Sequence, residues 1–272
     1  MVLYIWILMQ IIVESLPVSS SGHVILAQKL CEKFGCFSEI FFESWAIDFI
    51  LHGPTIIILL FYFFKTWWNM VFGQSSIDFK IFLQKSTWQS LVRPLIFIGI
   101  ADLISIVFWG SGIAQTLFIT SYFLPVGFMI TATILYGFSR ATGSKVMTWN
   151  FKDAVILGIV QGLSLLPGIS RFASTYGAGR LLCRYDGSTS FALSFLIQLP
   201  LIGAGFVKGL VAVQKYPGLM IKLFSFKALL VMVVASLVSY GLLCWIGSLI
   251  QKNKIYYFAF YMIIPIVLSL II

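Results

Sequence analysis

The sequence predicts an all-α polytopic membrane protein: six transmembrane helices plus two re-entrant helix hairpins in an inverted repeat, forming one integral membrane domain over residues 1–272. Three observations carry that prediction. The chain is 60% hydrophobic and 17% aromatic but only 10% charged, with a mean hydropathy of +1.01, which places it far from soluble domains of 272 residues. Six apolar runs reach the roughly 18 residues needed to cross a bilayer core of about 30 Å. Two more run for about half a span and then stop at a proline.

The first half-span covers residues 1–13 and runs into Glu14 and Pro17. It has no basic n-region and no small-residue cleavage site, so it is expected to stay in the mature protein. With a returning arm at Val24 to Lys33 it makes the first hairpin, about 1–33. Spans near 45–64, 91–109 and 115–138 follow and complete the first repeat, 1–140. The second half-span, 154–166, runs into Pro167, Gly168 and Arg171; with a returning arm at Thr175 to Cys183 it makes the second hairpin, about 154–183. Spans near 190–212, 228–248 and 255–272 complete the second repeat, 150–272. In lipid, a broken helix is tolerated only where its freed backbone groups are buried in protein or line a polar cavity.

The two turns resemble each other. Leu16-Pro17-Val18-Ser19-Ser20 aligns with Leu166-Pro167-Gly168-Ile169-Ser170, about 150 residues on, and each follows a short apolar helix carrying a glutamine, Gln10 or Gln161. Three crossings after each copy make the halves insert with opposite orientation, which sets the polar site near the midplane where the hairpins meet. The net charge of +9 fits either cytoplasmic loop anchoring, which explains most of it, or an anionic ligand. Lys65, Lys80, Lys85, Arg93, Arg140, Lys145, Lys152, Lys252 and Lys254 mark the cytoplasmic side, against Lys29, Lys33, Lys215, Lys222 and Lys227 opposite. Both termini and the mouth of the first hairpin then face outside, and the second hairpin enters from the cytoplasm. Of the four cysteines, only Cys31 and Cys36 are spaced for a local disulfide; Cys183 and Cys244 read as small hydrophobes, and none has paired metal-site spacing.

Polar chemistry is concentrated at the turns. Gln10 and Glu14, four apart on one helix face, point together into the first hairpin, and a carboxylate at membrane depth needs a cation or a donor. Ser19, Ser20, Ser21 and Gly22 offer hydroxyls and free amides at the start of a helix, either as a phosphate cradle or as a serine-rich cap. His23, within a turn of them, can serve as base, acid or donor. Arg171, after Ser170 in the matching turn, has the planar fork that suits phosphate. Asp48 and His52 form a second i, i+4 pair before Gly53-Pro54-Thr55, where the helix should kink; they either line the site or pair with each other. Gln161 is a further candidate lining residue.

Together these groups suit capture and hydrolysis of a lipid phosphate or diphosphate inside a membrane. A hydroxyl nucleophile would form a phospho-enzyme that water clears, with a metal ion on Glu14 neutralising charge. Type-2 phosphatidic acid phosphatases are excluded by motif order and by the histidine count, since only His23 and His52 are present and Gly177 stands where that class needs histidine. A lipid-phosphate carrier without hydrolysis is the alternative, as inverted repeats with broken helices also build secondary transporters. A purely structural scaffold leaves the polar hairpins unexplained.

At these residues the chain resembles the bacterial undecaprenyl-diphosphate phosphatases of the BacA type. Gln10-Ile11-Ile12-Val13-Glu14, followed by Leu16 to His23, is similar to that family's first signature. Pro167-Gly168-Ile169-Ser170-Arg171-Phe172-Ala173-Ser174-Thr175 is similar to its second, and Ser194-Phe195-Leu196-Ile197-Gln198-Leu199-Pro200 to a third segment. Phe172 and Ala173 depart from the family's serine and glycine, with Ser174 offering a substitute hydroxyl, and Ala192 stands where an acidic residue is frequent. The resemblance covers essentially the whole chain.

It implies hydrolysis of undecaprenyl diphosphate with a divalent cation, Mg2+ or Ca2+, regenerating a carrier lipid for cell-wall synthesis in the bacterial plasma membrane. Carried over by motif, Glu14 and Gln10 bind metal or activate the attack. Ser20 is the candidate nucleophile, His23 the acid/base partner or the nucleophile itself, and Arg171 the phosphate clamp. Ser19, Ser21, Gly22, Ser170, Ser174 and Thr175 are expected to contact phosphate. The expected partners are the polyprenyl diphosphate lipid and the bilayer, with no nucleic acid; a homodimer is an admissible assembly.

Overall fold

Apolar residues at helical spacing put every long described segment into helix, and serine, asparagine or aspartate caps start several of them. The computed structural model describes residues 2–35, 44–72, 85–110, 123–138, 143–145 and 147–272, with residues 44 and 85–90 described through their backbone. Among them there is no strand beyond an isolated bridge between Lys145 and Tyr185. Cys36 lies outside the described residues, and with it the expected disulfide, as do Lys80, Arg140 and the first part of the 115–138 span.

Two helix-turn-helix units are present. The first is α1 (Val2–Glu14) and α2 (Ser20–Lys33). After α3 (Ser44–Phe72), α4 (Lys85–Gly110) and α5 (Phe123–Gly137) comes the second, α6 (Phe151–Leu163) and α7 (Arg171–Gly177), extended by a π-helical turn over Ala178–Leu182. Pro17 and Pro167 end the outgoing helices because each ring would meet the carbonyl four residues back, that of Val13 and that of Leu163. The returning helices begin at Ser20 and Arg171, four residues ahead of the expected Val24 and Thr175 in both units. Hydroxyl capping moves the starts: Ser19 Oγ accepts from the Gly22 N–H at 3.3 Å, and Ser170 Oγ accepts from the Ala173 N–H at 3.2 Å. Helix starts therefore pair Ser19 with Ser170 and Ser20 with Arg171, one residue off the register that the sequence alignment suggests.

Among the described residues, four apolar segments are long enough to cross a membrane: Trp45–Phe72, Leu91–Gly110, Gly187–Val213 and Phe226–Gln251. The third is made of α8 (Gly187–Leu196) and α9 (Leu199–Val213), and the fourth is α11 (Phe226–Gln251), reached through the short α10 (Pro217–Leu223). The expected 255–272 span is instead two short helices, α12 (Tyr257–Tyr261) and α13 (Ile263–Ile271). Pro265 explains the break, having no N–H to bond the Tyr261 carbonyl. By contrast, α3 runs unbroken through Gly53-Pro54 for 29 residues.

Packing fixes the hairpins from both sides. On α11, Ala228, Ala235, Leu243 and Ile246 are buried, whereas Leu230, Val233 and Leu237 form an exposed apolar stripe of the kind a lipid-facing surface requires. Ser239 Oγ on its inner face donates to the Ile11 carbonyl at 2.7 Å, tying α11 to α1. The tips of the two units meet at glycines. A Cβ on Gly22 would lie 2.8 Å from Gly168 Cα, and one on Gly127 of α5 would lie 2.1 Å from the Pro167 carbonyl oxygen. Thr131 of α5 completes the join: its Oγ1 donates to the Gly168 carbonyl at 2.8 Å and accepts from the Ser170 N–H at 2.9 Å.

Candidate active site

The last residue of α1 places a carboxylate, the first residue of α2 a hydroxyl and the first residue of α7 a guanidinium, and the three converge. Ser20 Oγ donates to Glu14 Oε2, and Arg171 Nη2 donates to Glu14 Oε1 at 2.7 Å. The Glu14 side chain is only 8% exposed and that of Arg171 20%. Breaking such a pair by removing one partner leaves a buried charge at a cost of about 3–5 kcal/mol. Ser19 directs the geometry. Its φ of 63° is left-handed, an uncommon conformation for a residue with a side chain, and it turns the chain so that α2 starts against Glu14.

A small pocket of about 20 Å³, room for roughly one water, lies among Glu14, Ser19, Ser20, Ser170 and Arg171. It adjoins a cavity of about 600 Å³ that shares Ser20, Ser21 and Arg171. Aromatic and aliphatic residues of α2, α3, α4 and α9, among them Val24, Phe49, Ile106, Trp109 and Leu201, form most of that cavity's wall. Its polar part includes Gln10, Asp48 and His52. A small polar pocket opening into a large apolar cavity suits a molecule with an anionic head and a greasy body.

The remaining predicted residues fall into distinct places. His23 is turned away from Ser20 toward α5 and α12: its Nδ1 lies 2.7 Å from the Ser19 carbonyl and its Nε2 3.0 Å from the Tyr261 hydroxyl. The carbonyl can only accept, so Nδ1 carries the hydrogen and Tyr261 donates to Nε2 in the neutral ring. The imidazole stacks on Tyr261 and meets Phe128 edge-on, with centroids 5.9 and 5.3 Å away. Asp48 and His52 both line the cavity and are not partners, since Asp48 Oδ1 accepts from Trp6 Nε1 at 2.8 Å. Gln161 does not line it: its Nε2 donates to Asp102 Oδ1 at 2.7 Å, bracing α6 against α4.

Ser170 serves as the α7 cap, and the Thr175 hydroxyl donates to the Arg171 carbonyl at 2.8 Å. Ser174 Oγ is buried with no partner and is absent from both pocket walls. Phe172, 3% exposed, packs on Phe195 and Phe191 with centroids 4.8 and 5.4 Å apart, so the residue that departs from the motif anchors α7 to α8. Residues that sequence reasoning did not single out are Gln198, which lines the small pocket, Tyr261 and Thr131.

No cluster of three or more His, Cys, Asp or Glu able to hold a metal ion occurs among the described residues. What the first hairpin offers is Glu14 and, one turn earlier, the Gln10 Oε1 oxygen, buried and without a partner. Such a sparse oxygen set fits a hard cation that completes its shell with substrate phosphate oxygens.

A family model described as "Bacitracin resistance protein BacA" matches residues 4–268. The chain belongs to the BacA family. Relatives named undecaprenyl-diphosphatase include one from Methanobrevibacter smithii, 30% identical over 93% of this chain and 90% of the relative. One from Halothermothrix orenii is 28% identical over the same shares, 93% and 90%, and one from Methanosphaera stadtmanae is 31% identical over 72% and 71%. Membership in the BacA family together with the long apolar helices makes this a multi-pass membrane protein.

Proposed function

We propose that this BacA-family protein hydrolyses undecaprenyl diphosphate to undecaprenyl phosphate and inorganic phosphate in the plasma membrane, returning the carrier lipid to cell-wall synthesis. The observation that carries the reading is the Ser20 hydroxyl donating to Glu14 while Arg171 holds the other carboxylate oxygen, at the edge of an apolar cavity. A carrier has use for Arg171 and for amide donors, but none for a hydroxyl seated on a carboxylate.

The terminal phosphate enters between Arg171 and the first turn of α2, where free N–H groups and the helix dipole favour an anion. The guanidinium exchanges Glu14 for phosphate oxygens, which leaves the carboxylate free to act as base. Ser20 Oγ attacks the terminal phosphorus, its proton passes to Glu14, and the bond to the bridging oxygen breaks with undecaprenyl phosphate as leaving group. Glu14 passes that proton to the departing undecaprenyl phosphate; water then attacks the phosphoserine, its proton moves through Glu14 to the leaving Ser20 Oγ as the phosphorus–Oγ bond breaks, and inorganic phosphate departs. Glu14 and the Gln10 carbonyl oxygen would hold a divalent cation, Mg2+ or Ca2+, which when bound offsets charge on the phosphoryl group. The His23 contacts with Ser19 and Tyr261 favour serine over histidine as nucleophile, with His23 holding the α2 start in place. The two helix-turn-helix units act as re-entrant hairpins of an inverted repeat, a reading supported by their meeting at buried glycines and by prolines at matching positions.

The test is phosphate release from a C55 diphosphate by the purified protein in detergent, comparing wild type with Ser20→Ala and Arg171→Ala. Both variants are expected to fall by at least about 1000-fold, as when a nucleophile or a transition-state donor is removed. Phosphate release by Ser20→Ala at the wild-type rate would exclude the serine mechanism.

A further inference from the structure

Glu14, Ser20 and Arg171 act on the phosphate that leaves, and the phosphate that stays on the lipid needs partners of its own. The cavity wall formed by α3 and α9 carries groups without employment. His52 is 7% exposed, lines the cavity, and its Nδ1 has no hydrogen-bond partner. It is close enough to Glu14 and Arg171 for both charges to act on it. One turn back on the same face of α3, Phe49 lies with its ring centroid 6.0 Å from that of His52. Lys208 of α9 holds its Nζ 5.4 Å from the Phe49 centroid and 6.0 Å from that of Trp45. Among the described residues no carboxylate pairs with Lys208.

Close helix contact brings these groups together. Gly205 lies against His52, where a Cβ would be 3.2 Å from its Cδ2, and Gly209 lies against the Ile50 backbone. Lys208, three residues after Gly205, therefore projects along the same wall. Arg171, His52, Phe49 and Lys208 all line one cavity, with Phe49 touching both the imidazole and the ammonium. Asp48 shares this wall with Oδ1 bonded to Trp6, so an anion seated here needs a cation to offset that carboxylate. An orphaned imidazole nitrogen and an ammonium resting on aromatic faces are donors waiting for oxygens.

We propose that His52 and Lys208 form a second oxyanion subsite, which holds the phosphate that remains on the lipid while its neighbour sits at Arg171. The inference rests on the hydrolytic reading for the name of its ligand, but it concerns binding and is measured without turnover. Lys208 leaves the Phe49 and Trp45 rings to meet the phosphate, and the polyprenyl chain continues along Val24, Ile106 and Trp109. Diphosphates then span both subsites, the monophosphate product occupies the outer one, and inorganic phosphate binds at Arg171.

The test measures affinities for C55 diphosphate, C55 monophosphate and inorganic phosphate in the full chain carrying Ser20→Ala, so that nothing is hydrolysed. Lys208→Met is expected to weaken both lipids about tenfold, the loss of one charge-assisted hydrogen bond, and to leave inorganic phosphate unchanged. Lys208→Arg restores lipid affinity, and His52→Phe reproduces the Lys208→Met pattern. Lys208 is exposed, so its replacement leaves the core intact. Unchanged lipid affinity in Lys208→Met would make Lys208 a mere interface anchor and overturn the proposal. Weakened inorganic phosphate with unchanged lipid would assign the subsite to the free product and overturn it equally. A wild type that binds these ligands in the predicted pattern but releases no phosphate would refute the hydrolytic reading alone.

Discussion

Replacing Thr131 by valine keeps the shape of the side chain and removes one hydroxyl. That hydroxyl donates to the Gly168 carbonyl at 2.8 Å and accepts from the Ser170 N–H at 2.9 Å, at a residue with 0% exposure. Valine leaves an N–H and a carbonyl buried without partners. Each orphaned group costs about 1–3 kcal/mol, so the ceiling is about 6 kcal/mol, and a partial shift of the tip brings the expected loss to about 2–4 kcal/mol. The shift does not stay local. Ser170 caps α7 and Arg171 is its first residue, so the guanidinium moves with the turn. A misplacement on the order of 1 Å at a reacting centre costs about 100-fold in rate, and kcat is expected to fall by that factor. The assay is phosphate release from C55 diphosphate, with thermal unfolding of the same preparation followed by tryptophan fluorescence. Thr131→Ser keeps the hydroxyl, loses about one methyl group's worth of burial, roughly 1 kcal/mol, and should keep most of its turnover. Wild-type unfolding and turnover in Thr131→Val would refute the reasoning, because the tip would not then depend on this bridge.

Arg171→Lys keeps the charge but loses the planar fork; kcat/KM is expected to drop about 10- to 100-fold in the same release assay, and a value near wild type would rule out two-point phosphate capture. Exhaustive chelation should abolish phosphate release and added Mg2+ or Ca2+ should restore it, whereas undiminished release in chelator would remove the cation from the mechanism. Gly127→Ala drives a Cβ to 2.1 Å from the rigid Pro167 carbonyl and is expected to destabilise by about 3 kcal/mol, read as thermal unfolding. Gly99→Ala, which meets nothing within 4 Å, is the control and should be neutral or stabilised by roughly 0.5–1 kcal/mol. Equal unfolding temperatures for the two alanine variants would contradict the packing at the hairpin tips.

What could be read from the sequence was what neighbours in the chain decide. Pro17 and Pro167 announce the turns because a proline ring blocks a helix through contacts four residues away. Glu14 and Ser20 are six residues apart and meet across a single turn, so their pairing is written within one motif. The helices start four residues before their apolar character sets in, because Ser19 and Ser170 cap earlier. The 255–272 span reads as continuous because Ile, Leu and Val mask the effect of Pro265 on hydropathy while leaving its effect on hydrogen bonding intact.

Side-chain direction was harder to read, because it depends on partners that spacing cannot supply. His23 lies within a turn of Ser20 and reads as its base, yet its ring is held by Tyr261, 238 residues later, and by the Ser19 carbonyl that a left-handed φ exposes. Gln10 and Gln161 occupy matching positions in the two hairpins and each keeps a buried Oε1 without a partner, but α4 supplies Asp102 to the Gln161 Nε2 whereas Gln10 lines the cavity. This asymmetry fits the chemistry. A symmetric pair of hairpins would present two equivalent polar tips, but hydrolysis needs a base and nucleophile on one side and a clamp on the other. Ser20 and Arg171 are both first residues of returning helices, so the same backbone position carries a hydroxyl in one unit and a guanidinium in the other. Glu14 accepts from both, which is why neither half of the chain can assemble the site alone.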